Sequence, residues 1–279
     1  MLRIRLIGQP SLERDGQPIP GPRGHKTWAV LGRLAQSSEA VSRQVLVDEL
    51  FSEADDPMGA LRWALAELRR RTGLVDTFGG NPIAFALGDE ATVDVFDFAA
   101  GVVTDNIPEG RFLQGIDVKG SPGFESWLLI ERQRVDGEVL SALRQATLRA
   151  LSGRQFDQAV ALAGAMLRQA PFEEGTHVLL VKALASSGDA DAAIRQADAS
   201  EAMFSAELGV TASPAIRAAA RPAIAAPIPG VSVRASAVSL CDAGLDPRRT
   251  ATPPTRARRP PVSVRRWRVE LPRGSRDSP

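Results

Sequence analysis

Four arginines, Arg62, Arg69, Arg70 and Arg71, fall between Gly59 and Leu74 against a single acid, Glu67, giving that window a net charge of +3. A guanidinium stays charged and presents a rigid fork of donors. It can grip a phosphate or read the paired acceptors on a guanine edge. From Pro57 to Arg71, Met58, Leu61, Leu65 and Leu68 recur at helical spacing with Ala64 beside them. The other face of that helix carries Arg62, Trp63, Arg69 and Arg70, with Arg71 at its end. A helix of this kind fits the major groove of duplex DNA, which admits one helix. The plainer account is a solvated face whose last arginines complement the helix dipole. Trp63 has two readings: a base or sugar contact, or packing against the wing. Lys26, with Arg23 and His25, opens an earlier helix. Backbone amides and a cation there can support a phosphate, or the segment is a solvated turn.

Other chemistry finds few residues. His25 and His177 are the only histidines, and there is no HExxH, GxxxxGK[ST], GxSxG or strand-following GxGxxG. The acid pairs Asp55-Asp56 and Glu173-Glu174 read as helix starts. Cys241 is the single cysteine, so neither an intramolecular disulfide nor a cysteine zinc site is expected. The residues predict no enzyme, no cofactor and no metal. No run approaches the roughly 18 apolar residues of a membrane span, and the opening lacks a signal-peptide core. A cytoplasmic protein without membrane contact is expected.

The elements that must position the arginines come next. Leu2, Ile4 and Leu6 alternate with Arg3 and Arg5 as in a strand, and Asp15-Gly16 marks a tight turn between further short strands. A first helix runs from near Gly24 with Trp28, Leu31, Leu34 and Ala35 on one face. A second starts at Ser42 as N-cap, with Val45, Leu46 and Leu50 inward. The third, bearing the arginines, begins at Asp56-Pro57 and stops at Gly73. The alternation around Gly79-Gly80-Asn81, with Ile83, Phe85 and Leu87 after it, predicts a closing hairpin. Strands, three helices and a hairpin give the winged-helix order of response-regulator output domains.

From Asp94 the pattern turns helical. Gly110 to Gly123 reads as a loop, and a long helix is predicted from about Phe124 to Leu151, with Trp127 favouring core packing. Phe156, Ala159 and Val160 return as Ala190, Ala193 and Ile194, each 34 residues on. That is the tetratricopeptide period, so a short solenoid is expected. A final helix follows Ser213-Pro214. After Pro222 no hydrophobic period is sustained, and half of the 20 prolines lie in the last 58 residues. This part carries 11 Arg against 4 acids, a net +7, leaving −6 on the rest. Such a composition predicts disorder, and it suits either a salt-sensitive nonspecific affinity for nucleic acid or a solubilising or vestigial extension.

The chain resembles the SARP-type bacterial regulators, which join an OmpR-like winged helix to a bacterial transcriptional activation domain. The likeness is carried by LRIRLIGQPSLERDGQPIPGPRGHK, SRQVLVDELFSEADDPMGALRWALAELRRRTG, VDVFDF, FESWLLIERQRV and AELGVTASP, and covers residues 1–220. It implies promoter binding at direct repeats, with the repeat domain pairing protomers into a homodimer and contacting RNA polymerase. The family's recognition-helix Leu-Arg and Leu-Arg-Arg map onto Leu61-Arg62 and Leu68-Arg69-Arg70. Where the family often has Asn and a Ser-Arg pair, this chain has Gly59, and Ala66 with Glu67. The resulting expectation is a mostly α protein: a winged helix (α+β) over 1–92, a TPR-like activation domain over 93–220 and a disordered Pro/Arg-rich tail over 221–279. Double-stranded DNA would meet Lys26, Arg62, Trp63, Arg69, Arg70 and Arg71. The alternative is a helical-repeat scaffold that binds proteins instead of DNA, a reading favoured by Gly59 and Glu67.

Overall fold

The computed structural model describes residues 1–103 and 107–221, so the expected tail and Cys241 lie outside the described residues. Its first layer is a four-stranded sheet. Strands β1 (Leu2–Arg5), β2 (Ser11–Arg14) and β3 (Gln17–Ile19) pair antiparallel, and β4 (Ala91–Val93) joins β1 in parallel, giving the order β3-β2-β1-β4. Asp15 and Gly16 both take positive φ (52° and 78°), as the two-residue hairpin turn that matches strand twist requires. The alternation in β1 works as read: Leu2 and Ile4 are buried.

Three helices cover this sheet: α1 (His25–Ala35), α2 (Arg43–Leu50) and α3 (Pro57–Thr72). Their ends follow the capping residues. The Ser42 hydroxyl accepts from the Val45 amide at 3.2 Å, the Asp56 carboxylate accepts from the Gly59 amide at 2.8 Å, and Gly73 ends α3 in the left-handed conformation. Two expected inward residues face out instead. Val45 is exposed while Val47 takes the core position, and Met58 is exposed at the first turn of α3.

The predicted hairpin after α3 is not formed. Asp76–Phe78 make one 3-10 turn, and the chain then runs irregularly. Ile83 is buried, but its backbone pairs with Val41, just ahead of α2, by two hydrogen bonds of 2.8 and 2.9 Å. The strand that completes the sheet is β4, further along, and its partner is β1 at the opposite end of the domain sequence. The period-2 pattern of Ile83, Phe85 and Leu87 reports three side chains turned toward the core, not a strand pair.

Beyond β4 the chain is helical: α4 (Asp94–Ala99), α5 (Pro122–Ser152), α6 (Phe156–Gln169), α7 (Glu174–Ser187), α8 (Ala190–Leu208) and α9 (Pro214–Ala219). The 34-residue repeat falls at the same place in α6 and α8, and Ala159 and Ala193 are fully buried. The Gly-rich stretch before α5 holds more than a loop's share of core: Phe112, Leu113, Ile116 and Val118 are all buried. One cluster of buried apolar side chains runs from Leu2 to Ala183 and includes the sheet, α1–α3, that stretch, α5 and α6. A second, small cluster unites Val181, Ala193, Ala197, Phe204 and Ile216. Among the described residues no helix is long and apolar enough to cross a membrane.

Candidate nucleic-acid interface

Helix α3 buries Leu61, Ala64, Leu65, Leu68 and Thr72. The residues left over on its outer side are Gly59, Arg62, Trp63, Ala66 and Arg70, spaced three or four apart, so they form one stripe along the helix. All but Gly59, which is half-buried, are exposed; Trp63 keeps 54% of its surface and the Arg62 side chain 65%. A large indole left in water at the centre of a basic stripe is unusual for a residue of packing value. Trp63 is not packed into the core, and the hairpin wing it was expected to face is not formed. Gly59 and Ala66 leave the stripe low on either side of it.

The cations of α3 are not equivalent. Arg62 reaches back to Asp56 at 3.5 Å, an exposed and weak pair. Arg69 is half-buried, and its Nη2 donates to the Phe78 carbonyl at 2.5 Å, which ties the helix to the turn after it. Arg70 and Arg71 both bond to Glu67, Arg71 through Nε at 2.9 Å. Glu67 faces inward, with a side chain only 2% exposed, and also accepts from the Arg23 amide at 3.3 Å. The hydrogen bonds from Arg70 and then Arg71 hold the Glu67 carboxyl down to about 2, against the upward push of burial. The acid that the sequence counts against DNA is therefore not on the outer stripe.

Lys26 is half-buried in the first turn of α1, its ammonium 5.4 Å from the centre of the Phe51 ring at the end of α2. His25 lies beside Asp117, its Nδ1 2.9 Å from the carbonyl oxygen and 3.2 Å from the amide. The structure thus brings Arg62, Trp63 and Arg70 together on one surface. Arg69 and Arg71 are placed at its flanks, and Lys26 is set on a different helix. Sequence reasoning passed over Arg43. It opens α2, where its amide donates to Asn81 Oδ1 at 3.0 Å and its Nε to the Gly80 carbonyl at 2.9 Å. No periodicity signals that contact, since its partners lie nearly 40 residues on.

Behind the stripe, the first three helices are braced by the helical half. Arg33 of α1 forms a two-pronged bond to Glu49 of α2 (2.8 and 3.2 Å) and stacks its guanidinium 5.2 Å from the Trp127 ring of α5. Arg134 of α5 donates to Gln36 at 2.5 Å. On the sheet side, both Asp94 oxygens accept backbone amides, from Leu6, Ile7 and Val95, at 2.8–3.0 Å. Burial nevertheless pushes this carboxyl up to about 6, against the pull of those three amides.

Residues 109–222 match the family described as Bacterial transcriptional activator domain. The matched segment comprises the core-bearing stretch around Phe112 and helices α5–α9, and it follows the sheet and α1–α3 in the chain. Among solved structures, EmbR of Mycobacterium tuberculosis in complex with a low affinity phosphopeptide is similar, with a TM-score of 0.48 and 20% identity. The match covers 78% of this chain and 64% of that one, so this chain spans less than two thirds of its length. No curated protein matches the chain.

Proposed function

We propose that the chain is a sequence-specific DNA-binding transcription regulator acting in the cytoplasm, in which residues 1–92 dock on promoter DNA and residues 93–220 engage protein partners. Helix α3 enters the major groove. Arg62 and Arg70 read or neutralise from the outer stripe, Trp63 lies against bases or sugars, and Arg69, Arg71 and Lys26 give phosphate support from the flanks. The activator domain pairs two copies on direct repeats and contacts RNA polymerase.

The observation that supports this reading best is the outer stripe of α3. A helix with two exposed guanidiniums around an exposed indole, kept low by Gly59 and Ala66, offers the width and charge that a groove accepts. The reading predicts that random-sequence duplexes selected on the full chain at near-physiological salt converge on a short motif in direct repeats. Arg62→Ala should then cost about 1–3 kcal/mol and relax one position of that motif. Unchanged affinity and salt slope in Arg62→Ala would remove Arg62 from the interface. The second reading, a protein-binding scaffold, draws on the Glu67 pairs, which offset part of the positive charge of α3. It is favoured if selection returns no motif.

A further inference from the structure

We propose that Glu67 is a positioning residue of the DNA interface, which sets Arg70 on the edge of the α3 stripe and locks the approach to α1 onto the same helix; this rests on the DNA-binding reading above.

Three bonds to one carboxylate carry the proposal. Oε2 accepts from Arg70 Nη2, while Oε1 accepts from Arg71 Nε at 2.9 Å and from the Arg23 amide at 3.3 Å. The carboxylate itself is buried, yet the Arg70 side chain remains 62% exposed and that of Arg71 21%. An Arg side chain free in water loses rotamer entropy when it is fixed. Arg70 is held beforehand at one end of its guanidinium, so less of that cost remains to be met on binding. Four other donors of the fork are left for a phosphate or a base edge. The Arg23 bond adds a second consequence. It joins the segment bearing Arg23 and Lys26 to α3, so cations on two elements reach the duplex in one fixed register.

A buried acid placed only for stability would have no effect on which DNA is chosen. An acid acting only by its charge would weaken all duplexes alike. Positioning predicts a third pattern, and Glu67→Gln separates the three. Glutamine keeps the shape and the acceptor for the Arg23 amide but releases the charge-assisted grip on Arg70.

The experiment uses the full chain and two duplexes, one carrying the selected motif and one scrambled, titrated across a salt series. The expected result is a loss of about ten-fold in the ratio of specific to nonspecific affinity, with nonspecific affinity and its salt slope equal or higher because one negative charge is gone. Glu67→Asp, which keeps the charge but sets it back by one methylene, should fall between and serves if the Gln variant does not fold. Combining Glu67→Gln with Arg70→Ala should lower the ratio no further than Arg70→Ala alone. An unchanged ratio in both single variants overturns the assignment while leaving the DNA reading intact. A wild-type chain that prefers no duplex overturns both.

Discussion

The two ends of the described chain are built from different material. Around the sheet and α1–α3 the core is filled by Phe78, Phe112, Phe124 and a dozen buried Leu and Ile side chains. At the far end, α7, α8 and α9 close over a small core whose buried apolar residues are Val181, Ala193, Ala197, Phe204 and Ile216. That small core also encloses a polar set: His177 Nε2 donates to the Pro171 carbonyl, its Nδ1 lies 2.7 Å from the Ser200 hydroxyl, and its ring meets Phe204 edge-on. Large interlocking side chains give a single well-fixed arrangement. A few small ones let helices approach closely but bury little area each, so the last helices open at lower cost. The end that carries the arginine stripe is held by the larger core, and the last helices by the smaller one.

The largest effect that would sharpen this contrast is expected from Phe112→Ala. Phe112 is fully buried where the activator domain meets the sheet, and its loss should cost about 3–5 kcal/mol. Urea unfolding should then show the stripe-bearing helices and α5 melting together; separate transitions would break the picture of a shared core. Next comes Asp94→Asn, expected to cost about 1–3 kcal/mol because an amide offers one acceptor where three backbone amides now converge on two oxygens. This residue also gives a pH signature. Its folded value near 6 lies above the ordinary carboxylate range. Its contribution to stability is therefore fully present below about pH 4 and lost as pH rises through about 6. Unfolding measured at steps from pH 4 to 7 should show that loss in the wild type and a flatter profile in Asp94→Asn. Asp56→Ala removes the cap of α3 and should cost about 1 kcal/mol, read as a lowered thermal midpoint. An effect of similar size is predicted for Ile216→Val, about 0.5–1.5 kcal/mol. Hydrogen exchange should place it in α7, α8 and α9 only, with the amides of α3 unchanged; acceleration in both regions would refute the two-ended description.

Much of this was legible before any coordinates. Helix ends could be read because their determinants are local: Ser42, Asp56 with Pro57, and Gly73 act within three or four residues of where they stand. The 34-residue repeat was legible for the same reason, and Ala159 and Ala193 land at matching buried sites. What failed involved partners far along the chain. The segment at Ile83 alternates like a strand, but Val41 is its only backbone pair outside its own neighbourhood, while β4 takes the free edge of β1. Val47 displaced Val45 from the core because the direction that α2 presents is set by α1 and α3, not by its own short sequence. For the candidate site, the composition of the outer stripe was apparent, since period alone sorts Arg62, Trp63 and Arg70 to one side. The division of labour among the arginines was not. It depends on Glu67, the Phe78 carbonyl and the Arg23 amide, whose positions only the fold defines.

Helix α5 has one more consequence. Its 31 residues make a rod about 46 Å long, clamped in its first half by Trp127 against Arg33 and by Arg134 against Gln36, and joined in its second half to the repeats. A rod held this way is a lever with its fulcrum beside the first three helices. A tilt of about 5° at the clamp displaces the far tip, about 27–37 Å beyond it, by about 2–3 Å, so a strain too small to disturb α1–α3 is magnified where the last helices sit.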